Sequence, residues 1–211
     1  MRKIIWEVRV LSPPPVMKYC KKCGCRQPFM NSDCFRVNAQ RKSLDVWLIY
    51  KCSKCDATWN ASVFTRVPPQ SIPAGLLAGF HENDDALAER YAMDMDFLRR
   101  NGAEAGMPEY TIAGDVFSLE EAAELEIKSQ YPLPVKVSAL VRAKLGLSQK
   151  VYSDLVCSGR ITGTASEDLV KCRLGKGITL VFSKSSAASP EAVPQTGASQ
   201  SIPPCLPRPG C

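Results

Sequence analysis

Two stretches of the chain, "KYCKKCGCRQPF" at 18–29 and "YKCSKCDATW" at 50–59, each contain a Cys-x-x-Cys pair. The two pairs are separated by 28 residues. When two such pairs lie on the turns of a β-sheet, they can place four thiolates around one tetrahedral Zn²⁺ ion. The sequence therefore predicts a structural zinc ribbon. Its predicted ligands are Cys20, Cys23, Cys52 and Cys55.

The residues around the pairs fit a metal-binding turn. Gly24 follows the first pair and Asp56 follows the second, and both residue types tolerate the left-handed backbone that such a turn requires. Four thiolates around a dication carry a net charge of −2, which nearby cations can offset. The cations close in sequence are Lys18, Lys21, Lys22, Arg26, Lys51 and Lys54.

The ten cysteines could serve uses other than metal binding, such as disulfides or redox chemistry. A disulfide framework is typical of secreted proteins, but "MRKIIWEVRV" has no long apolar core and no small-residue cleavage site, so we expect a reducing cytoplasm and no membrane span. A redox Cys-x-x-Cys normally lies between a strand and a helix, and neither pair has that setting. Replacement of one ligand by Cys25 or Cys34 stays open.

Charge is distributed unevenly along the 211 residues, whose formal net charge is +6. Residues 1–66 carry +9, residues 67–134 carry −9, residues 135–184 carry +6 and the rest cancel. Such a chain can present a cationic surface to an anionic partner. Alternatively, the basic and acidic blocks neutralise one another in the fold.

The residue patterns predict an α+β protein made of consecutive units. Residues 1–66 have strand composition, including the alternating "LDVWLIY", and form the predicted zinc-ribbon-like β domain. Residues 67–134 form an acidic, mainly helical middle segment, with one helix capped by Asn83 and another opened by Ser118 in "SLEEAAELEI".

The remaining chain divides into a compact module and a tail. Residues 135–182 predict two helices, capped at Ser138 and Ser148, followed by a β-hairpin that turns at Gly175-Lys176-Gly177. Residues 183–211 are rich in Ser, Ala and Pro with almost no large apolar residues, and predict a disordered tail.

The chain shows no recognisable catalytic constellation. Its single histidine, His81, precedes a predicted helix and is more typical of a surface or capping residue than of a base. The sequence contains no phosphate-binding glycine loop, nucleophile elbow or dinucleotide fingerprint. A zinc site closed by four cysteines also has no open position for a water molecule. These observations predict a protein that is not an enzyme.

The stretch "VKVSALVRAKLGLSQKVYSDLVCSGRI…VKCRLGKGITLVF" within 135–182 resembles the S-four-type (alpha-L) RNA-binding domain of ribosomal proteins, pseudouridine synthases and heat-shock RNA-binding proteins. The resemblance implies a helix-helix-hairpin module that binds RNA through a basic face. The sequence departs from the family at Gln149, where a basic residue is usual, and at "TGTASED". The implied RNA-binding residues are Arg142, Lys144, Lys150, Arg160, Lys171 and Arg173.

Residues 4–182 also resemble a bacterial family catalogued as domain of unknown function 1062. The stretches that carry this resemblance are "YCKKCG", "FRVNAQRKSLDVWLIYKCSKCDATWN", "RYAMDMDFLRRNG" and "LGLSQKVYSDLVCSGRI". The resemblance implies the same cysteine pairing and a bacterial cytoplasmic setting, and no established activity.

Together these features predict a nonenzymatic zinc-ribbon protein whose partner is structured RNA. Trp47 and Trp59 could stack on unpaired bases, although aromatic residues beside a small sheet are more often core. A protein-interaction or regulatory zinc module without nucleic-acid binding is the alternative, because zinc ribbons serve both roles. A third hypothesis is that the protein is an RNA-modifying enzyme reduced to its binding portions.

Overall fold

The structure, a computed structural model, describes residues 1–163 and 168–184. Its strands are β1 Arg2–Ser12, β2 Val16–Cys20, β3 Cys25–Gln40, β4 Ser43–Cys52, β5 Thr58–Val67, β6 Glu104–Ala105, β7 Glu109–Ala113, β8 Ala123–Ser129, β9 Ile161–Gly163 and β10 Gly177–Phe182. Its α-helices are α1 Ala74–Glu82, α2 Asp85–Ala92, α3 Met95–Arg100, α4 Val137–Leu145 and α5 Gln149–Cys157. The strands form two five-stranded sheets.

The cysteine-rich sheet has the strand order β5-β4-β3-β2-β6, and its strands pair antiparallel. Its central strand β4 alternates as the sequence predicts: Leu44, Val46, Leu48 and Tyr50 are buried, and the residues between them are only half-buried. The side chains of a strand alternate between the two faces of a sheet. One face of this sheet is therefore apolar and needs a cover.

Helices α1, α2 and α3 supply that cover by packing against β3 and β6. The single helix predicted after Asn83 is two helices, because Asp94 interrupts it and caps α3 by accepting from the amides of Asp96 and Phe97. Asp84, not Asn83, is the N-cap of α2. Asn83 instead ends α1 in the left-handed conformation, and its side chain accepts a hydrogen bond from the amide of Phe35.

The second sheet has the order β7-β1-β8-β10-β9, with β1 and β8 parallel. The predicted helix in "SLEEAAELEI" is wrong, because most of these residues lead into or form β8. Ala123, Leu125 and Ile127 alternate with glutamates, and all three are buried between β1 and β10. The period-2 pattern prevails over the capping-box spacing because two neighbouring strands satisfy the backbone of β8.

The predicted C-terminal helix-helix-hairpin module is also wrong. Residues 175–177 do not turn a hairpin: β10 pairs with β8 and β9, and Arg173 forms a bridge to Lys136. Helices α4 and α5 contribute to the same apolar core as β1 and β8, so they are not part of a separate unit. The structure gives no support to the S-four-type resemblance.

The predicted fold class is corrected accordingly. The protein is β-rich, with two sheets and five short helices among the described residues, in place of a ribbon, a helical segment and a module in succession. Sequence order misleads here because β1, at the start of the chain, pairs with β7 and β8, more than a hundred residues later. Residues 185–211 of the predicted disordered tail lie outside the described residues.

Candidate metal centre

Each cysteine pair lies in a tight turn at the end of a strand. The amide of Gly24 donates to the carbonyl of Cys20 at 2.9 Å, and the amide of Asp56 donates to the carbonyl of Cys52 at 3.0 Å. Gly24 and Asp56 have φ angles of 69° and 58°. The prediction that these two residues adopt the left-handed conformation is confirmed.

Strand pairing brings the two turns together. Cys20 ends β2 and Cys52 ends β4, and both strands pair with β3, which lies between them. Phe29 of β3 pairs with Cys52, and the amide of Ser53 donates to the carbonyl of Pro28 at 3.0 Å. The sheet therefore holds both turns at one end of the cysteine-rich layer.

The four predicted ligands converge. Their sulfur atoms all lie within 4.8 Å of one another, with 3.5 Å between Cys20 and Cys55 and 3.9 Å between Cys23 and Cys52. A disulfide requires sulfur atoms about 2.05 Å apart, and all four cysteines are free. A tetrahedral site with metal–sulfur bonds of about 2.3 Å has sulfur–sulfur edges of about 3.8 Å. The cluster therefore has the dimensions of a tetrathiolate metal site.

The thiols of the cluster influence one another's ionisation. Burial disfavours the Cys20 thiolate, but a hydrogen bond from the Cys23 amide and the thiols of the cluster offset it, so the pKa of Cys20 is lowered to about 7. The hydrogen bond with Cys55, together with burial, raises the pKa of Cys23 to about 12. The pKa of Cys55 is also raised, because burial and the neighbouring thiols outweigh the Ala57 amide that stabilises its thiolate. A bound cation would favour the thiolate at every one of these positions.

Two lysines tie the centre to its surroundings. Lys22 donates to the carbonyl of Cys55 at 3.4 Å. Lys18 lies 4.6 Å from the ring centroid of Trp59 and donates to the carbonyls of Asn101 and Gly102, so it fastens the end of α3 to the cysteine-rich sheet. The sequence suggested only a charge-balancing role for Lys18. No sequence signal links it to Asn101, which lies 83 residues away.

The other cysteines that the structure describes do not join the cluster. Cys25 and Cys34 are exposed, and the side-chain Nε2 of Gln27 donates to the sulfur of Cys25 at 3.0 Å. Among the described residues, the only group of cysteine, histidine and acidic side chains that could hold a metal is the one formed by the two pairs. The alternative in which Cys25 or Cys34 replaces a ligand has no support in this geometry.

A sequence model of the family described as "Protein of unknown function (DUF1062)" matches residues 37–167. The chain belongs to the DUF1062 family. The matched residues of this DUF1062 protein include the second cysteine pair and begin after the first. The structure, and not the family match, therefore shows the cluster of four cysteines. No curated protein and no solved structure matches the chain. In the residues that the structure describes, no helix is long and apolar enough to cross a membrane.

Three of the predicted RNA-binding residues donate hydrogen bonds to backbone carbonyls of the protein itself. Lys144 donates to the carbonyl of Ile112 at 2.6 Å, and Arg160 donates to the carbonyl of Leu119 at 3.0 Å. Arg142 donates to the carbonyl of Leu147 and to the side chain of Gln149. These three side chains are half-buried, which limits their reach toward a phosphate.

The other three predicted RNA-binding residues are exposed. Lys171 forms an ion pair with Asp168 at 3.5 Å. Within the described part of the chain, no side-chain ion pair or hydrogen bond is seen for Lys150 or Arg173. These two exposed cations therefore have no protein partner there that would compete with a phosphate.

Proposed function

We propose that this DUF1062 protein binds one structural Zn²⁺ ion and acts as a nonenzymatic RNA-binding protein. The observation that carries the first half is the convergence of four free thiols within 4.8 Å. Zn²⁺ is the metal that tetrahedral sites of four cysteines typically hold. When bound, it would cross-link the ends of β2 and β4 and leave no open coordination position. Its role is therefore structural.

The second half is supported by charge. Residues 1–66 carry 13 Lys and Arg against 4 Asp and Glu. Phosphate contacts by such cations dominate RNA affinity. Lys150 and Arg173 are two further exposed cations, in the C-terminal part of the described chain. Structured RNA is the partner proposed here, and the cytoplasm is the proposed location.

Metal analysis of the purified protein tests the zinc half. We expect about one Zn²⁺ per chain. Replacing Cys23 by serine should remove the metal, while Cys34→Ser should retain it because Cys34 lies outside the cluster. Stoichiometric zinc in the Cys23→Ser variant would contradict the site.

A salt series with zinc-loaded protein and a structured bacterial RNA tests the RNA half. If roughly four to six phosphates are neutralised, the logarithm of the binding constant should fall with a slope of about −3 to −5 against the logarithm of salt concentration. Absence of binding at low salt would contradict RNA binding and leave the protein-interaction alternative.

A further inference from the structure

Helices α1–α3 cover one face of the cysteine-rich sheet, and no helix in residues 1–163 and 168–184 packs on the opposite face, here called the open face. Strand alternation and register define it: β4 contributes Asp45, Trp47, Ile49 and Lys51, opposite to the buried Leu48 and Tyr50. β3 contributes Met30 beside Lys51 and Arg36 beside Trp47. β5 contributes only polar side chains, at Thr58, Asn60 and Ser62.

The open face combines exposed apolar side chains with free cations. Tyr19 of β2 pairs with Arg26 of β3, which lies on the same face as Met30 by alternation. Tyr19 and Met30 are 63% and 41% exposed, and Trp47 is half-buried. Arg36 and Lys51 are exposed, and among the described residues neither forms an ion pair. A sheet that presents aromatic rings flanked by cations has the composition of a stacking platform for nucleic-acid bases.

The strands of the cysteine-rich sheet and the helices on its covered face also differ in charge. Residues 16–67, which form its main strands, carry ten Lys and Arg against three Asp and Glu. Residues 74–105, which include the helices on the covered face, carry three Arg against seven Asp and Glu. The fold therefore places an acidic layer behind a basic one. An anionic polymer is directed to the open face and kept away from the helices.

The cationic character continues at the end of the sheet opposite the metal centre. A cleft of about 760 Å³ at the β3–β4 turn is lined by Gln40, Arg41, Lys42, Ser43, Asp45 and Arg66. Asp45 accepts a hydrogen bond from the amide of Arg66, so its carboxylate is partly engaged. Arg41, Lys42 and Arg66 therefore lie where a nucleic-acid strand that runs along β4 would leave the sheet.

From these features we propose that the open face binds unpaired RNA. Bases stack on Tyr19 and Trp47, and Arg36 and Lys51 contact phosphates between and beside them. By strand register the two rings lie roughly 25–30 Å apart, at about 3.3 Å per residue. This span suits site sizes of about 4 to 16 nucleotides. The inference rests on the proposed binding of structured RNA and names the surface that binds it and the part of such an RNA that is bound, its unpaired segments.

Unpaired RNA fits this surface better than a duplex or a protein. The bases of an RNA duplex are stacked on one another and cannot reach exposed rings, whereas splayed single strands can. A protein partner of the same face would need acidic groups matched to Arg36 and Lys51, and nothing on the open face requires folded structure in the partner. An extended polyanion meets the charge pattern without that requirement.

The test measures binding of the full-length, zinc-loaded protein to a fluorescent 12-nucleotide oligouridylate and to a 12-base-pair RNA duplex. We expect the single strand to bind at least about tenfold more tightly than the duplex. Arg36→Glu and Lys51→Glu should each weaken single-strand binding about fivefold or more and make the salt slope shallower by about 0.7. Tyr19→Ala should weaken it by a similar factor through lost stacking.

Two variants serve as matched controls. Arg100→Glu makes the same charge change as Arg36→Glu, but on the helical layer, and should leave affinity unchanged within about twofold. Lys150→Glu combined with Arg173→Glu tests the C-terminal surface. Zinc content and circular dichroism check that every variant is folded.

The outcomes separate this inference from the proposed function. Equal binding of duplex and single strand overturns the inference, as does unchanged single-strand binding by all three open-face variants. If binding is lost only in the Lys150→Glu, Arg173→Glu variant, RNA binding stands and the open face is wrong. If neither RNA binds at low salt, and structured RNA also fails to bind, both are wrong.

Discussion

At the scale of single residues, position in the fold decides what each cysteine and each lysine does. Cys23 and Cys25 are two residues apart, yet Cys23 joins the cluster and Cys25 is exposed outside it. Lys18 precedes the first cysteine turn and Lys22 lies within it, yet Lys18 contacts the end of α3 while Lys22 donates to the carbonyl of Cys55. The residue type alone would not have predicted that Cys23 and Cys25, or Lys18 and Lys22, have different roles.

The Cys52→Ser variant should lose both metal and stability. Cys52 is buried at the end of β4, and serine is a poor zinc ligand, so the cross-link between β2 and β4 should be lost. We expect the melting temperature to fall by about 6–12 °C, which corresponds to roughly 3 kcal/mol for a chain of this size. Calorimetry with parallel metal analysis measures both effects.

Cys25→Ser is the matched control for that variant, because Cys25 lies five residues from Cys20, is exposed and contacts Gln27 instead of the cluster. It should change the melting temperature by no more than about 2 °C. Equal destabilisation by both serine variants would contradict a specific role for the cluster.

Metal affinity should weaken as the pH falls. Binding requires four thiolates, whereas without metal the raised pKa values of Cys23, about 12, and of Cys55 keep these thiols protonated at neutral pH. Zinc binding then releases roughly two to three protons, so affinity should fall by at least about 100-fold from pH 7 to pH 6. Competition with a chromophoric chelator at several pH values measures this. A pH-independent affinity would contradict a thiolate site.

At the scale of elements, backbone geometry at a few turns determines how strands enter the sheets. Gly114 follows β7 with a φ of 114°, a conformation that residues with a side chain rarely adopt. It lies directly against β1, where the indole of Trp6 donates to the carbonyl of the next residue, Asp115, at 2.8 Å. This close approach lets the chain leave the sheet edge while Trp6 stays buried.

Gly114→Ala should therefore be strongly destabilising. The added Cβ would collide with the carbonyl oxygen of Ile5 and lie 2.7 Å from Cδ1 of Trp6. We expect a loss of roughly 3 kcal/mol or more in the free energy of unfolding, from combined steric overlap and backbone strain. Urea denaturation measures the loss.

Gly146→Ala is the control for the steric part of that prediction. Gly146 ends α4 with a φ of 66°, but a Cβ there meets nothing within 4 Å. Only the cost of the left-handed conformation remains, about 1 kcal/mol. Similar losses in the two variants would show that the packing against Trp6 contributes little.

At the scale of the whole molecule, two sheets support two separate apolar cores. One core contains Trp6, Leu125 and Leu180, and the other contains Leu48, Tyr50 and Phe80. The metal centre lies at one end of the second core, where Cys20 and Cys52 are themselves buried. A bound metal would therefore stabilise the half that contains the second core directly, and the other half only through contacts between the two halves.

Metal removal should therefore weaken the two halves unequally. With a chelator, hydrogen exchange should accelerate most in β2–β5, which the cluster cross-links, and least in β1, β8 and β10, which have their own core. Mass spectrometry of exchanged peptides, with and without chelator, measures this. A uniform increase across both sheets would show that they unfold as one cooperative unit.

The sequence alone was sufficient for the features that depend on local spacing. The four clustered cysteines were predicted from two Cys-x-x-Cys pairs, the left-handed turns from Gly24 and Asp56, and the buried face of β4 from its alternation. The turns and the alternation are settled within a few residues, because the backbone geometry of a turn or a strand depends mainly on its immediate neighbours. The meeting of the two cysteine pairs also needs β3 to pair with β2 and β4.

Only the tertiary structure decided the features that depend on distant partners. "AELEI" is a strand because β1 and β10 lie on either side of it, which local propensity does not reveal. The described part of residues 135–182 forms no independent module, because β9 and β10 belong to the sheet that begins at Arg2. Likewise, the S-four-type resemblance implied RNA contacts at Lys144 and Arg160, and only the fold shows that both side chains donate to backbone carbonyls of distant residues. Long-range pairing selects among patterns that are locally equivalent, and for that reason sequence reasoning fails there.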